Sequence, residues 1–117
     1  MIAELLNNCP IGVTIVSLDL KLRLYANRKV AEMFGVEMPE KMLLSPLEDS
    51  WCDAGRFEQM KTYMLSGQEL NNFIAKRRRA DGSVVWLSMN SQVAEVEGRQ
   101  ARIIWHSDVT ELVTTLR

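Results

Sequence analysis

The chain has 117 residues, of which 47% are hydrophobic and 25% are charged; these are the proportions of one globular domain, and they exclude collagen, coiled coil and general disorder. Its 14 basic and 15 acidic residues give a net charge of −1, so the charge does not predict nucleic acid as a partner. The longest apolar stretch, residues 11–18, is too short for membrane insertion. Because no Lys or Arg precedes Lys21 and no CxxC pair occurs, we expect a cytoplasmic protein with reduced thiols.

The first predicted element is a short helix over residues 2–8, within an N-terminal segment that runs to residue 9. Its apolar side chains fall on one stripe, which so short a helix must bury against another surface. The stripe consists of Ile2, Leu5, Leu6 and Cys9. Pro10 ends the helix, because proline disfavours helical geometry in the residue before it.

Two strands are predicted next, joined by a tight turn at residues 19–20. Residues 12–18 are rich in the β-branched residues that favour strands. In the second strand Leu20, Leu22 and Leu24 alternate with Lys, Arg and Tyr, and therefore share one face. The pattern predicts a hairpin that is apolar on at least one side.

Helical segments are predicted in the middle of the chain. Asn27 can cap a first helix with its side-chain oxygen, and Gly35 is placed to end it. The predicted buried stripe of this helix is Val30, Met33 and Phe34. Residues 36–52 contain two prolines, so we expect an irregular segment with one or two short helical turns.

A longer helix follows this irregular segment. Asp53 is its predicted cap, the helix reaches about Leu65, and Gly67 closes it. Its predicted buried face comprises Ala54, Phe57, Met60 and Met64.

The remaining sequence predicts three strands, at residues 69–79, 83–94 and 99–107. The Asp-Gly pair at residues 81–82 is a strong signal for a two-residue hairpin turn, and residues 95–98 turn the second pair of strands. One face of the middle strand carries Val85, Leu87, Met89 and Val93, and the opposite face carries Trp86.

After the last strand, Asp108 and Glu111 have the spacing of a capping box, which predicts a helix over residues 108–117. A chain that stops where a helix begins suggests a segment of a longer protein. The order of helix, two strands, short helices, three strands and helix predicts one α+β domain over residues 1–117. We expect a five-stranded antiparallel sheet with helices packed on one face.

Four motifs, in this order and at these spacings, resemble those of PAS domains and cover nearly the whole chain. They are residues 8–12 (NCPIG), residues 25–27 (YAN) before a helix ending at residues 34–35, residues 78–83 (RRADGS) with Trp86, and residues 107–111 (SDVTE). The last is similar to the Asp-Ile-Thr motif that ends many bacterial PAS modules, with Val109 in the place of Ile. Ala80 departs from the family pattern, in which a basic residue commonly precedes Asp-Gly.

The resemblance implies a sensory module that relays a change to a covalently linked effector such as a histidine kinase, a diguanylate cyclase or a transcription regulator. Such domains bind haem, flavin or small metabolites between sheet and helices, or bind no ligand and form dimers. We therefore predict a non-catalytic signal-input domain that forms a homodimer and holds no cofactor or an unidentified small metabolite. The alternative is a small ligand-carrying or catalytic α+β domain that binds its substrate on the sheet face.

The residues argue against haem and flavin. Haem-binding PAS domains usually take their iron ligand from the long helix before the third strand, and residues 53–65 contain no histidine. His106 has no clustered partners for a metal, so a structural role is favoured. Cys52 lies near the position of the reactive cysteine of LOV-type photosensors, but the chain lacks their Asn-Cys-Arg-Phe-Leu-Gln run. We therefore interpret Cys52 as a buried, inert thiol and Cys9 as a structural residue.

Three sets of candidate site residues follow from the predicted elements and the resemblance. The predicted pocket lining is Met33, Phe34, Phe57, Met60, Met64, Leu87 and Met89. The predicted signal relay is Asp108, Thr110 and Glu111. The predicted dimer interface is Ile2, Leu5, Leu6 and Trp86. Ordinary core packing and helix capping are the simpler interpretations of the first two sets.

Residues 76–79 are four consecutive bases. On a strand they alternate between the two faces and cannot form one basic patch. We expect them to be solvated, with the acidic stretch at residues 37–58 offering partners.

Overall fold

In the computed structural model, which describes residues 6–8 and 10–116, the chain forms a five-stranded antiparallel sheet with helices packed against it. The strands are β1 (Gly12–Val16), β2 (Arg23–Ala26), β3 (Phe73–Arg78), β4 (Val84–Val96) and β5 (Arg99–Asp108). The helices are α1 (Arg28–Met33), α2 (Pro39–Met42), α3 (Ala54–Leu65) and α4 (Thr110–Leu116), with a 3₁₀ turn at Leu47–Ser50. The predicted α+β fold is confirmed.

The strand order is β2-β1-β5-β4-β3, so the first and the last strand of the sheet pair next to each other at its centre. Directly paired residues of antiparallel strands share a face. Gly12, His106 and Met89 therefore form one row across the sheet, on the face toward the helices. This row places the polar ring of His106 and the apolar side chain of Met89 under the helical layer, with Gly12 beside them.

Two groups of buried side chains fill the space between the sheet and the helices. The group around α3 includes Trp51, Phe57, Met60, Met64, Leu70, Ala75, Met89 and Ile104. The group around α1 includes Ala26, Val30, Ala31, Met33, Phe34, Met42, Val85 and Leu87. The predicted stripes of both helices are buried except for Ala54, which is exposed at the first turn of α3.

Asn27 joins the N-terminal segment, β1 and α1 through four hydrogen bonds. Its Oδ1 accepts from the backbone N–H groups of Val13 at 2.9 Å and Val30 at 3.0 Å. Its Nδ2 donates to the carbonyls of Leu6 at 2.8 Å and Ile11 at 3.0 Å. The predicted helix cap is thus confirmed, and the side chain, fully buried, also fixes two segments that lie before it in the chain.

Gly12 lies where α1 crosses β1. A Cβ atom at this position would stand 2.8 Å from Sδ of Met33 and 3.0 Å from Cβ of Val30. A methyl group has no room at such distances, so the close packing of α1 on the sheet requires glycine here.

The second predicted strand is shorter than the alternation indicated. Leu20 is buried, but it lies in the turn, with a φ of 65°, and not in a strand. Leu22 precedes β2 and Leu24 lies within it, and both are exposed, at 61% and 46%. The prediction of one shared apolar face was wrong because the turn, stabilised by hydrogen bonds from Ser17 Oγ and Lys21 N–H to Asp19, takes up Leu20.

The two hairpin turns differ from the sequence prediction in length. The N–H of Arg79 donates to the carbonyl of Ser83 at 2.7 Å, which leaves a three-residue loop, 80–82, rather than two residues. Gly82 has φ of +88°, as expected for a type I turn followed by a left-handed residue. The two-residue turn is at residues 97–98, where Glu97 and Gly98 both have positive φ and Val96 pairs with Arg99.

Most of the predicted N-terminal helix, together with Cys9, lies outside the described residues; Leu6 and Asn7 are helical. Among the described residues, no helix has the length and apolar character needed to cross a membrane.

Candidate functional site

A small cavity lies between the sheet and the helices, where the two groups of buried side chains meet. Its volume is about 20 Å³, which is room for about one water molecule. Most of its wall is apolar, but polar side chains from four strands reach it as well. Those polar side chains are Thr14, Arg23, Arg77 and His106.

Arg77 is the most unusual of these side chains, because an arginine is rarely inside a core. It is 3% exposed and belongs to the row of β3 that faces the helices, opposite Val85 of β4. Its Nε donates to the carbonyl of Ser50 at 3.3 Å and its Nη2 to Ser50 Oγ at 2.7 Å. The prediction that all of residues 76–79 are solvated was therefore wrong for Arg77.

The guanidinium of Arg77 is packed between aromatic rings. Its central carbon lies 4.3 Å from the ring centre of Trp51 and 4.9 Å from that of Phe34. Its Nη1 donates to Sδ of Met89 at 3.2 Å. A thioether is a weak acceptor, so this end of the guanidinium is poorly satisfied beside the cavity.

Among the described residues, no carboxylate pairs with the positive charge of Arg77. Ion pairs in the described part of the chain are Lys41–Glu37 and Lys61–Glu58, both at the surface. Burial, followed by repulsion from Arg23, lowers the pKa of Arg77 to about 9, so the group remains charged at neutral pH. The fold thus holds a buried cation that no described carboxylate neutralises.

Arg23 separates the cavity from a groove at the surface. Its Nη1 donates to the carbonyls of Met42 at 3.0 Å and Ser45 at 3.1 Å. Burial lowers the pKa of Arg23, and Asp49 followed by Glu48 opposes that shift. The groove has a volume of about 280 Å³ and shares Arg23, Phe34 and Met42 with the wall of the cavity.

His106 occupies the centre of the sheet and is 3% exposed. Its Nδ1 lies 3.4 Å from the carbonyl of Gly12, and its ring meets that of Phe34 edge to face at 6.2 Å. Burial, with added repulsion from Arg77, lowers the pKa of His106 to about 3. The imidazole is therefore neutral at physiological pH. Across the described residues, His, Cys, Asp and Glu do not form a group of three that could hold a metal ion.

The predicted pocket lining divides among three places. Phe34, Met60 and Met89 line the cavity. Met33 and Leu87 pack in the group around α1, whereas Phe57 and Met64 pack in the group around α3. Cys52, predicted to be buried, is a half-buried free thiol. The sequence prediction missed the polar part of the wall, although the parity of Arg77 with Ala75 in β3 was an available signal.

The predicted relay residues lie where β5 leads into α4. Thr110 Oγ1 accepts a hydrogen bond from the backbone N–H of Trp86 at 2.9 Å. The carbonyl of Trp86 accepts from the N–H of Val109 at 2.9 Å. The start of α4 is thereby joined to β4 by two hydrogen bonds, one to the N–H and one to the carbonyl of Trp86.

Asp108 caps this junction differently from the predicted capping box. Its Oδ1 accepts from the N–H of Thr110 at 2.9 Å, two residues along, rather than from Glu111. Glu111 is exposed in the first turn of α4. The difference arises because α4 begins at Thr110, one residue later than a cap at Asp108 would require.

The predicted dimer residues are only partly described. Ile2 and Leu5 lie outside the described residues. Leu6 is half-buried at a groove that Leu24 and Tyr25 also line, and Trp86 is half-buried on the face of the sheet opposite the helices.

Comparison with known proteins gives solved structures of similar fold. No protein-family model and no curated protein matches the chain. An RNA-binding light-oxygen-voltage receptor superposes with a TM-score of 0.79 at 17% identity over 96% of this chain, which spans 33% of that receptor. A PAS domain from a two-component sensor histidine kinase gives a TM-score of 0.72 at 18% identity, covering 92% of each chain.

A third similar structure is the PAS domain, in complex with ethanol, of a LuxR-family transcriptional regulator from Burkholderia thailandensis. It superposes with a TM-score of 0.70 at 14% identity, over 91% of this chain and 95% of that one. The sheet order, the helical layer and these superpositions agree with the motifs seen in the sequence. The chain has the PAS fold.

Proposed function

We propose that the chain is a cytoplasmic, non-catalytic signal-input module that passes a change in its core or its self-association to a linked effector through α4. The observation that carries this proposal is the pair of hydrogen bonds between Trp86 and the start of α4. β4 supplies Leu87 and Met89 to the core on one side and holds α4 through Trp86 on the other. A shift of β4 therefore moves the helix that leaves the domain.

The structural neighbours support this proposal. They include a light receptor, a sensor histidine kinase and a transcriptional regulator, which are three kinds of signalling protein. The regulator's domain was solved in complex with ethanol, so a fold of this kind can hold a small molecule. We propose a histidine kinase, a diguanylate cyclase or a transcription regulator as the class of effector.

The relay is tested in the full-length protein with Thr110→Val and Asp108→Ala. Thr110→Val removes the acceptor for Trp86 N–H, and Asp108→Ala removes the bond that positions Thr110. Couplings between sites are commonly 1–3 kcal/mol, so we expect effector output to change by roughly 5-fold to 150-fold. The melting temperature of the separate domain reports whether each variant is folded.

Thr114→Val is the matched control. The hydroxyl of Thr114 is exposed and bonds to the carbonyls of Thr110 and Glu111 within α4, without contact to the sheet. This variant should leave output unchanged. If all three variants give wild-type output while folded, Asp108 and Thr110 are ordinary capping residues and the relay is refuted.

Self-association through the outer face of the sheet is the second input that we propose. That face carries half-buried Trp86 and Trp105, and Ile74 on it is 37% exposed. Light scattering should show a dimer for the wild-type chain and a monomer for Trp86→Glu combined with Leu5→Glu. A wild-type monomer at high concentration would eliminate this input.

A further inference from the structure

The relay leaves Arg77 unexplained. Arg77 is only 3% exposed, and it contributes nothing to the junction with α4. No described carboxylate lies near its charge. Removing an ion from water is costly unless an opposite charge compensates it. An anion that binds beside a buried, uncompensated cation is attracted more strongly than it would be in water, because the dielectric constant of the interior is lower.

The geometry of the guanidinium is that of a built site. One edge of Arg77 is fixed by Ser50, and its faces are held by Trp51 and Phe34. Nη1 donates to the sulfur of Met89, a residue that lines the cavity together with Arg77. A planar carboxylate is a much stronger acceptor for this end than a thioether, because its oxygens carry the charge.

The size and charge of the surroundings restrict the rest of the ligand. The cavity of about 20 Å³ is too small for a carboxylate, but Met42 and Met89 in its wall have unbranched side chains that can change rotamer. The adjoining groove of about 280 Å³ can hold a body of a few carbon atoms. Asp49 lines that groove together with three cations, Arg23, Arg78 and Arg79, so a basic group on the body of the ligand is disfavoured there.

We propose that the core of this domain binds a small organic carboxylate, with its carboxylate on Arg77 and its body in the groove beside Arg23. This proposal deepens the proposed function by naming the class of ligand that the module senses. Arg23 adds positive charge at the boundary between cavity and groove, and the neutral ring of His106 adds no charge to the cavity wall.

Butyrate and its uncharged isostere butyramide are the probes, added to the isolated 117-residue chain. We expect butyrate to shift the Nε–H resonance of Arg77 and the indole N–H resonance of Trp51 saturably in NMR spectra, and butyramide to shift neither. Equal binding of butyramide would overturn the proposal in favour of an apolar pocket. Tighter binding of inorganic phosphate would overturn it in favour of an oxyanion site, and no saturation with any probe would leave Arg77 a purely structural residue.

Arg77→Gln and Lys76→Gln form the matched pair of variants. Each removes one positive charge from β3, but Lys76 is exposed on the opposite face. Loss of a hydrogen bond to a charged group should weaken butyrate binding by about 10-fold to 100-fold in Arg77→Gln and leave Lys76→Gln at the wild-type affinity. Unchanged affinity in folded Arg77→Gln would refute the site; if that variant does not fold, Arg77→Lys and the wild-type resonances decide.

The binding test and the relay test fail separately. Butyrate binding is measured without any effector, whereas Thr110→Val is measured through the effector alone. Binding without an effect of Thr110→Val would retain the ligand class and refute the relay. An effect of Thr110→Val without binding would retain the relay and refute the carboxylate.

Discussion

Asn27 and Arg77 are both buried polar side chains between the sheet and the helices, yet their surroundings satisfy their polar groups to very different extents. Asn27 makes four hydrogen bonds, which use both lone pairs and both N–H groups of its amide. Arg77 donates to Ser50 and to a methionine sulfur, and no carboxylate in the described part of the chain compensates its charge. A polar side chain whose hydrogen bonds are all made within the protein stabilises the fold, whereas one with a poorly satisfied donor can still bind another molecule.

Replacing Asn27 with alanine should have the largest effect on stability. The change leaves two backbone N–H groups and two carbonyls without their partner, and each buried unsatisfied group costs about 1–3 kcal/mol. We expect a loss of about 3 kcal/mol or more in the free energy of unfolding, measured by urea titration. Asn90→Ala removes a single bond, to the N–H of Asn72, and should cost about 1 kcal/mol. Equal losses in the two variants would contradict the special role of Asn27.

Gly12→Ala tests the packing of α1 on β1, the two elements that Asn27 joins. The added methyl group meets Met33 and Val30 at distances that require α1 to move away from β1. Overpacking of this kind costs about 1–3 kcal/mol, which the urea midpoint should report. A variant as stable as wild type would show that α1 is loosely held there.

The pH dependence of stability tests the burial of His106 beside the cavity. Its pKa is about 3 in the folded chain, against an ordinary value of about 6.5 when unfolded, so only the unfolded chain takes up the proton between these values. Stability should therefore fall as the pH falls through this window. Relative to His106→Gln, wild type should lose about 1.4 kcal/mol between roughly pH 7.5 and 5.5.

The His106→Gln variant keeps every carboxylate, including Asp19 and Asp81, whose lowered pKa values also make stability fall in acid. Its pH profile therefore isolates the imidazole. Parallel profiles for the two proteins would mean that His106 is accessible to protons in the folded chain.

Arg77→Met should have the smallest effect, even though the side chain is as buried as that of Asn27. The substitution removes an uncompensated charge and inserts an apolar side chain of similar length, a change that is often neutral or stabilising. Ser50 is half-buried next to the groove, so water can replace the lost donors. We expect a change within about 1 kcal/mol by thermal denaturation; a loss as large as that of Asn27→Ala would assign Arg77 to the architecture.

The sequence predicted the features that depend on neighbours along the chain. Asn27 and Asp53 were recognised as caps because a cap acts within three residues, and the stripes of α1 and α3 followed from helical spacing. The alternation of β4 likewise predicted the burial of Val85, Leu87 and Met89. Val93 has the same parity, but it is 40% exposed.

The features that the sequence did not predict depend on contacts between distant segments. The burial of Arg77 follows from the register of β3 on β4 and from the coverage by Trp51, neither of which a run of four bases reveals. The bonds of Asn27 to Leu6 and Ile11 likewise join segments that are far apart in sequence. The three-residue turn before Ser83 was missed because Asp-Gly, a signal for a two-residue turn, also fits a three-residue loop in which Gly82 takes the left-handed position.

The pairing of β1 with β5 at the centre of the sheet has a consequence for synthesis on the ribosome. Gly12 and His106 are 94 residues apart, so the middle of the sheet closes only after nearly the whole domain has emerged. Contacts of such long sequence separation slow folding, because the intervening chain must be closed into a loop first. The junction with α4 follows directly on β5, and the nascent chain therefore completes the sheet and the start of α4 in one step.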